Sequence, residues 1–411
     1  MPESRIPPRG LSLDALLFAL LAAPYLSMMF LPPLPELLPE DLRSGALVVM
    51  CLGGYWLLDL LPRRPRLRRV IGPGKYVLIA LAVLVIVVAP TLAAIDARRQ
   101  AERHEFAHDG LMQSESAAQF MLMGRNPYVE SYADTPMGKW EFDIGGVKIN
   151  PGLEHYAYLP LTFLLPLPAQ ALAGDRFDHR WVYLAFYAVM LILSARLTRD
   201  ETRRLSLLLI LALNPLFVPF FVEGRNDVLS LFWLVLIVLA VQRRQWALSA
   251  VWLALACATK QFAWFLTPFW LMLVAGRGTR AEQWSRLKRP LAVLAGGTAL
   301  LLGPWLLWDA AAFVGDVTYL QSGPAGGGYP VSGFSLGILL LAIGVMKSPL
   351  ETFPYWLFQL AAALPLLIIM LRRQWREPSV TVMLMGAGLF TFVLGFFSQS
   401  FTITTWASSS R

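Results

Sequence analysis

The side chains that could do chemistry in this sequence lie in a few short polar stretches. Asp109 follows His108 and precedes a mixed polar and apolar segment that ends at Gly124. Its carboxylate could act as a general base and take the proton of a substrate hydroxyl group. It could equally be the N-cap of the following helix, whose N-terminus would also suit an anionic phosphate. The sequence leaves both roles open.

A second polar stretch, Glu223 to Asp227, separates two apolar runs and carries Arg225 between its two acids. This turn offers an anion clamp and carboxylates that could contact a substrate or a metal. The alternative for Asp227 is a plain cap of the helix that begins there. Lys260 separates another pair of apolar runs. It could contact a phosphate group, or it could only extend its ammonium group to the membrane surface. We predict that all four residues bind substrate.

Four further residues complete the predicted substrate-binding set, and these are Asn126, His155, Tyr158 and Gln261. His155 could equally be a packed imidazole. The rings of Tyr128, Trp140 and Tyr158 could stack on sugars. The sequence has no zinc-ligand spacing, no nucleophile elbow and no nucleotide-binding loop. We therefore expect no cofactor, and a metal-independent site is favoured.

The elements that must position these residues are apolar. Of the 411 residues, 56% are hydrophobic and 15% are charged, and successive apolar runs approach the roughly 20 residues that span a bilayer as a helix. We predict an all-α polytopic membrane protein in which residues 1–411 form a single integral membrane domain. The first run, 11–31, contains Pro24 and no small-residue cleavage site, so it is expected to remain as a span. Both cysteines fall in predicted spans, so no disulfide is expected.

The net charge of +8 would suit nucleic-acid binding if the basic residues formed one surface. They cluster instead in short turns between apolar runs, which is typical of the cytoplasmic loops of membrane proteins. We predict a surrounding lipid bilayer and no nucleic-acid partner. The four clearest basic turns lie at 63–75, 196–204, 243–244 and 277–289.

Placing these turns inside the cell puts the polar stretches outside. Residues 96–156 then form an extracytoplasmic loop with juxtamembrane helices. One of these helices, following Asp109, is expected to be amphipathic and to lie at the membrane interface. The run Tyr158–Leu172 contains three prolines and is short for a span, so it is expected to stay at the outer side.

Two further segments fall on the same predicted outer face. They are an acidic hairpin at Pro32–Asp41 and a second outer loop at 309–333, which includes the glycine-rich stretch Gly323–Gly328. Chemistry on this face has no supply of free nucleotides. A lipid-linked donor would solve that problem, because its tail could lie between helices while its phosphate sits at the interface.

The order of the polar motifs resembles that of the GT-C superfamily of polytopic glycosyltransferases. The short motifs Gly-Arg-Asn-Pro-Tyr and Thr-Lys-Gln most resemble those of bacterial members related to the polyprenyl-phosphate-mannose-dependent mannosyltransferases. The resemblance runs from Asp96 to Pro330 and is carried by an ordered set, which is Asp109, Gly124-Arg125-Asn126-Pro127-Tyr128, His155-Tyr156-Ala157-Tyr158-Leu159-Pro160-Leu161, Asn214-Pro215-Leu216, Gly224-Arg225-Asn226-Asp227 and Ala258-Thr259-Lys260-Gln261.

The resemblance implies a GT-C-type bundle of roughly 11 to 13 transmembrane helices in a bacterial plasma membrane, with the active site on the extracytoplasmic side. It implies Asp109 as the catalytic base and Asp227 as a residue that binds donor phosphate, acceptor or metal. The implied reaction is an inverting transfer of a hexose such as mannose. The donor would be a polyprenyl-phosphate-linked sugar and the acceptor a glycolipid, glycan or protein hydroxyl.

The chain departs from that pattern in two ways. Asp109 stands alone where some members have paired acidic residues, which favours a single base without a metal. Two extra spans are predicted before the catalytic loop, where many members have one span.

A transporter or flippase for a lipid-linked sugar or small anion is the alternative function. Transporters typically place polar residues near the bilayer midplane, on broken helices in paired halves. In this sequence the polar residues gather at one predicted face and no internal repeat is visible. This pattern favours the enzyme.

Overall fold

The computed structural model describes residues 10–30, 39–61, 65–102, 104–144, 147–150, 152–174, 176–319 and 330–401. Within these ranges the chain is mostly helical, with four very short strands, and this confirms the predicted all-α class. Three predicted features lie wholly or partly outside the described residues. They are most of the hairpin Pro32–Asp41, the start of the first basic turn at 63–64, and the stretch Gly323–Gly328.

The helices follow one another along the chain with short connections. In order they are α1 (Leu13–Phe30), α2 (Pro39–Leu60), α3 (Pro65–Val83), α4 (Ala89–Gln100), α5 (Asp109–Leu122), α6 (Leu161–Leu164), α7 (Leu167–Ala173), α8 (Arg180–Ser194), α9 (Glu201–Leu213), α10 (Val218–Val222), α11 (Asp227–Gln242), α12 (Trp246–Cys257), α13 (Thr267–Ala275), α14 (Arg280–Tyr319), α15 (Leu336–Ala342), α16 (Tyr355–Arg376) and α17 (Val380–Phe396).

Shorter elements connect some of these helices. A π-helical turn, Leu84–Val88, joins α3 to α4, and 3-10 turns occupy Pro136–Lys139 and Gln261–Leu266. Strands β1 (Phe142–Ile144) and β2 (Val147–Ile149) form an antiparallel hairpin, in which Phe142 pairs with Ile149. Strands β3 (Ser332–Gly333) and β4 (Ser400–Phe401) pair in parallel.

Among the described residues, three helical stretches are long and apolar enough to cross a membrane, and these are Arg69–Gln100, Arg280–Thr318 and Tyr355–Arg376. Other apolar helices, such as α11 and α12, have 16 and 12 residues. At 1.5 Å per residue they cover about 18 to 24 Å, less than the roughly 30 Å hydrocarbon core. By length, therefore, fewer helices qualify as spans than the sequence predicted.

The first compact unit consists of residues 1–100 and 184–223. Its helices α1, α2 and α3 meet at a buried ion cluster. The Lys75 ammonium lies 2.7 Å from a carboxylate oxygen of Asp14 and 2.7 Å from one of Asp59. The Tyr55 hydroxyl also donates to Asp14 at 2.6 Å. These contacts offset the cost of removing the charges from water.

The second compact unit consists of residues 101–183 and 224–411. Its helix α5 is buried at every residue from Asp109 to Ala118, whereas the sequence predicted an amphipathic helix at the membrane interface. The difference arises because polar side chains of α5 have partners inside the protein. Gln113, for example, donates to the carbonyl oxygens of Gly152 at 2.7 Å and His155 at 2.9 Å.

An aromatic cluster packs beside α5 and fixes the course of the segment 155–160. The Tyr128 ring makes edge contacts with Tyr156 at 5.5 Å, Trp305 at 5.5 Å and Phe313 at 4.8 Å between ring centroids. Such contacts contribute beyond the burial of area alone. They join the loop after α5, the segment 155–160 and α14 into one core.

The proline-rich run Tyr158–Leu172 forms no long helix. It contains α6 and all of α7 except Ala173, and Pro166 precedes the first residue of α7. Proline removes a backbone donor and disrupts a helix interior. The break agrees with the prediction that this run does not cross a membrane as one span.

The segment 309–333, predicted as a second outer loop, is helical in its first part, because α14 continues to Tyr319. The helix bends at Asp309, whose backbone is extended with φ −157° and ψ 97°. The Asp309 carboxylate accepts a hydrogen bond from the Ala312 N–H at 2.9 Å. It therefore caps a second helical stretch, which restarts the helix after the bend.

Candidate functional site

The site is built on the N-terminus of α5. His108 is the N-cap of this helix, and its Nδ1 lies 3.0 Å from the Gly110 nitrogen. Asp109 is the first helical residue, so the alternative in which Asp109 is the N-cap does not hold. Its carboxylate still lies at the positive end of the helix dipole, which favours negative charge.

The Asp109 side chain is enclosed but ionised. The residue is 4% exposed, and its Oδ1 lies 2.5 Å from His108 Nδ1 and 2.6 Å from the Gly110 nitrogen. Burial alone would raise the pKa of this carboxyl. The charge and hydrogen bond of His108, the Gly110 N–H and the Arg225 guanidinium outweigh that effect and hold the pKa below its usual value. A general base requires this state.

Tyr158 lies directly over the start of α5. Its hydroxyl occupies the space that a Cβ on Gly110 would need, so only glycine fits at that position. The Tyr158 carbonyl oxygen accepts a hydrogen bond from the Tyr128 hydroxyl at 3.0 Å. Tyr158 thus lies close enough to Asp109 for that carboxylate to contribute to raising the pKa of the Tyr158 hydroxyl, an effect in which burial is the larger cause.

The turn between α10 and α11 approaches the same end of α5. Gly224 has φ +95°, and a Cβ there would lie 2.6 Å from Leu111 Cδ2. Glycine therefore permits both the left-handed backbone and the close approach. The turn brings Arg225 close enough to influence the pKa values of Asp109 and Tyr158.

Lys260 is paired, not simply extended to the membrane surface. Its ammonium forms an ion pair with Asp227, the first residue of α11. It also lies 6.0 Å from the centroid of the Tyr158 ring. The Lys260 side chain is 12% exposed and that of Asp227 is 44% exposed. The Asp227 carboxylate is therefore the more solvent-facing member of the pair, and the Lys260 ammonium is mostly enclosed.

His155 and Gln261 hold the segment 155–160 in place. His155 Nδ1 lies 2.8 Å from Asp316 Oδ1, and the other oxygen of Asp316 accepts from the Tyr156 N–H at 2.8 Å. Gln261 donates to the Ala157 carbonyl oxygen at 3.1 Å. Both side chains thus act in the structure as supports for the segment that carries Tyr158.

Two residues of this arrangement were missed at the level of sequence. The sequence gives His108 no role beyond its position next to Asp109. In the structure it is the N-cap of α5 and lies 2.5 Å from the Asp109 carboxylate. Asp316 lies near the end of α14 and is 4% exposed. An acidic residue within a long apolar stretch is itself a signal of a structural or functional role.

Several predicted residues do not join the cluster. Asn126 follows the opposite end of α5, about 20 Å from its start by helical rise, and its side chain accepts from the Tyr128 N–H at 3.1 Å. Tyr128 is a core residue at 3% exposure, and Trp140 packs against the same core. Glu223 is the exposed C-cap of α10.

Two cavities of the second unit lie apart from the candidate residues. One of about 410 Å³ lies beside Glu102, His104 and Lys139, and one of about 390 Å³ lies beside Arg244. The candidate residues line neither of these two cavities.

The cluster has the charges needed to move a proton and to hold an anion. It contains the carboxylates of Asp109 and Asp227, the guanidinium of Arg225 and the ammonium of Lys260. Within the described ranges, no three His, Cys, Asp or Glu side chains come together as a metal-binding group. Asp109 and Asp227 are the carboxylates of the cluster that could contact a metal.

No protein-family model matches this chain, and no curated protein matches it.

Proposed function

We propose that the protein is a polytopic membrane glycosyltransferase that moves a hexose such as mannose from polyprenyl phosphate to an acceptor hydroxyl, at the extracytoplasmic face of a bacterial plasma membrane. The observation that carries the proposal is Asp109, a buried carboxylate whose pKa is held below its usual value. It belongs to one cluster with Arg225 and Lys260. A base beside two anion-binding cations suits the transfer of a sugar away from a phosphate.

The reaction is a single displacement with inversion. The acceptor oxygen forms a bond to the anomeric carbon, and its proton passes to the Asp109 carboxylate. The bond between the anomeric carbon and the phosphate oxygen breaks, and its electron pair leaves with polyprenyl phosphate. Arg225 and Lys260 stabilise the negative charge that develops on that phosphate, in a site from which most water is excluded.

Asp227 has a different role from Asp109 in this proposal. Its ion pair with Lys260 holds the ammonium near Tyr158. The donor phosphate would then contact Lys260 while Asp227 keeps the side chain oriented. Tyr158 covers Asp109 until an acceptor enters and thereby excludes water from the base.

The exposed apolar surface supports membrane embedding. In each of α14 and α16, only 17% of the most apolar 18-residue stretch is buried within the protein. Leu300 and Leu307 on α14 are 75% and 89% exposed. Apolar surface of this extent on long helices suits contact with lipid chains.

The experiment uses purified protein in lipid nanodiscs with a labelled polyprenyl-phosphate mannose and a membrane lipid extract as acceptor. The proposal expects a glycosylated product and one released polyprenyl phosphate per product. It also expects Arg225→Ala and Lys260→Ala to weaken donor binding about tenfold or more, as the loss of a charged contact does. Arg125→Ala is the matched control, because Arg125 is exposed and pairs with Glu130 beyond the far end of α5. Donor binding that is equal in all three variants would remove the phosphate role.

A transporter of a lipid-linked sugar or small anion is the second candidate, and one observation favours it. The cluster of Lys75, Asp14 and Asp59 lies buried among the helices α1, α2 and α3. Ionisable residues inside membrane helices are typical of transport pathways. The same labelled donor separates the two functions, because a transporter moves it across the bilayer without breaking its glycosidic bond.

A further inference from the structure

A cavity of about 390 Å³ lies where α12 begins, beside the early turns of α14. Its lining combines three arginines, Arg244, Arg286 and Arg289, with a serine hydroxyl and apolar groups that include Trp246 and Leu248. No acidic residue lines it. The proposed glycosyl transfer makes no use of this cavity.

Arg244 and Arg289 give the cavity a positive charge that no carboxylate of its lining balances. Arg244 and Arg289 are exposed, and neither forms an ion pair with a carboxylate among the described residues. Arg286 is fixed by donating to the carbonyl oxygen of Ala275 at 2.8 Å. Glu282 lies near Arg286 but is exposed and outside the lining. A concave site with charges of one sign concentrates ions of the other sign.

The backbone at Arg244 closes the C-terminal end of α11. Its φ is +56°, and the N–H groups of Arg244 and Gln245 donate to the carbonyl oxygens of Val241 and Ala240, each at 2.9 Å. These hydrogen bonds are those of a left-handed helix end. The turn thus places Arg244 between α11 and α12, at the edge of the cavity.

The lining also includes the N-terminus of a helix and an apolar strip. Trp246 and Leu248 belong to the first turn of the 12-residue α12, and the N–H groups of a first turn have no acceptor within their helix. Such a helix end favours anions. Leu248 and Val251 are 40% and 39% exposed, and their spacing places them on one face of α12, leading away from the arginines.

We propose that this cavity binds the phosphate headgroup of an anionic phospholipid. Arg244 and Arg289 hold the phosphate, Trp246 packs beside the glycerol region, and an acyl chain follows Leu248 and Val251. Basic cavities between membrane helices bind such headgroups at the cytoplasmic side, where the basic turns place this end of the protein. The proposal rests on the membrane embedding within the proposed function and is independent of glycosyl transfer.

Native mass spectrometry of the full-length protein in a neutral detergent tests this site. The protein is titrated with phosphatidylglycerol and with phosphatidylcholine of the same acyl chains. The double variant Arg244→Asn/Arg289→Gln should bind phosphatidylglycerol about 30-fold more weakly, from the usual contribution of two arginines. Asparagine suits the left-handed backbone at 244, so the turn keeps its shape.

The matched control is Arg199→Gln/Arg203→Gln, which removes two exposed arginines from another basic turn. It should bind phosphatidylglycerol as the unchanged protein does. Equal weakening in both double variants, or equal affinity for the two lipids, would overturn the site. Displacement of phosphatidylglycerol by millimolar inorganic phosphate would assign the cavity to a free anion and overturn the lipid. The assay contains no sugar donor, so its outcome is separate from that of the transfer assay.

Discussion

Asp109 and Asp227 are both aspartates, but they lie in different electrostatic environments. Asp109 is almost fully enclosed and lies against His108, with Arg225 nearby. Asp227 is partly exposed and pairs with Lys260. At the scale of single residues this difference separates the proposed roles. The enclosed carboxylate takes the proton, and the exposed one orients a cation.

The partners of Asp109 predict how its titration responds to mutation. His108→Asn removes an imidazole that lowers the pKa of Asp109 but keeps a side chain suited to the N-cap. The pKa of Asp109 should then rise, because burial is less well opposed. In the pH profile of kcat/KM for sugar transfer, the acid limb, on which the rate rises as the base ionises, should therefore move to higher pH. Steady-state rates across the acidic range measure this shift.

His104→Asn is the control, since His104 lies in the same loop and pairs with Glu102. Its acid limb should match that of the unchanged protein. An unmoved acid limb in His108→Asn would mean that His108 does not tune the base. The lowered pKa also means that ionised Asp109 stabilises the folded protein. This contribution is fully present above the ordinary carboxyl pKa, and it is lost as pH falls through the lower pKa that Asp109 has in the folded state.

At the scale of elements, the site depends on close packing between α5 and the segment 155–160. Gly110→Ala places a methyl group where the Tyr158 hydroxyl lies. We expect a loss of stability of about 1 to 3 kcal/mol from overpacking, together with reduced transfer because Tyr158 is displaced. Thermal unfolding and initial rates measure the two effects.

Gly296→Ala is the matched control, because a Cβ at Gly296 in α14 would meet no atom within 4 Å. It should leave both transfer and unfolding temperature almost unchanged. If Gly110→Ala behaves like this control, the contact between Tyr158 and the start of α5 does not position the base.

The sequence was sufficient to predict the helical class and the meeting of Asp109, Arg225, Asp227 and Lys260. Each of these residues interrupts apolar runs or borders one, and the basic turns place all four on the same predicted face. The hydrogen bonds that brace the site were not predictable in this way. The contact between His155 and Asp316 joins residues 161 positions apart. Its formation depends on where α14 bends, and no local pattern encodes that.

The burial of helix α5 was likewise not predictable from the sequence. Its mixed polar and apolar sequence suited an interfacial helix, but the protein encloses it because its polar groups find internal partners such as the Gly152 carbonyl. Periodicity describes which residues are apolar. It does not say whether the polar ones are satisfied by solvent or by the protein.

At the scale of the whole molecule, the first compact unit has its own determinant of stability. Lys75→Met would leave Asp14 and Asp59 buried without their cation. The loss of one partner from such a cluster costs about 3 to 5 kcal/mol, so the unfolding temperature in detergent should fall markedly. Lys288→Met is the control, since Lys288 is exposed. Equal unfolding temperatures would show that the cluster does not stabilise the first unit.

Asp109 is the proposed base of the sugar transfer, and single-turnover transfer from labelled polyprenyl-phosphate mannose measures the proton-transfer step in which it acts. Asp109→Asn keeps the shape of the side chain but cannot accept the proton, so the rate should fall by about 10² to 10⁴ while donor binding is retained. Asp134→Asn, a change at an exposed position, should transfer at the unchanged rate. Transfer by Asp109→Asn at the rate of this control would contradict the account.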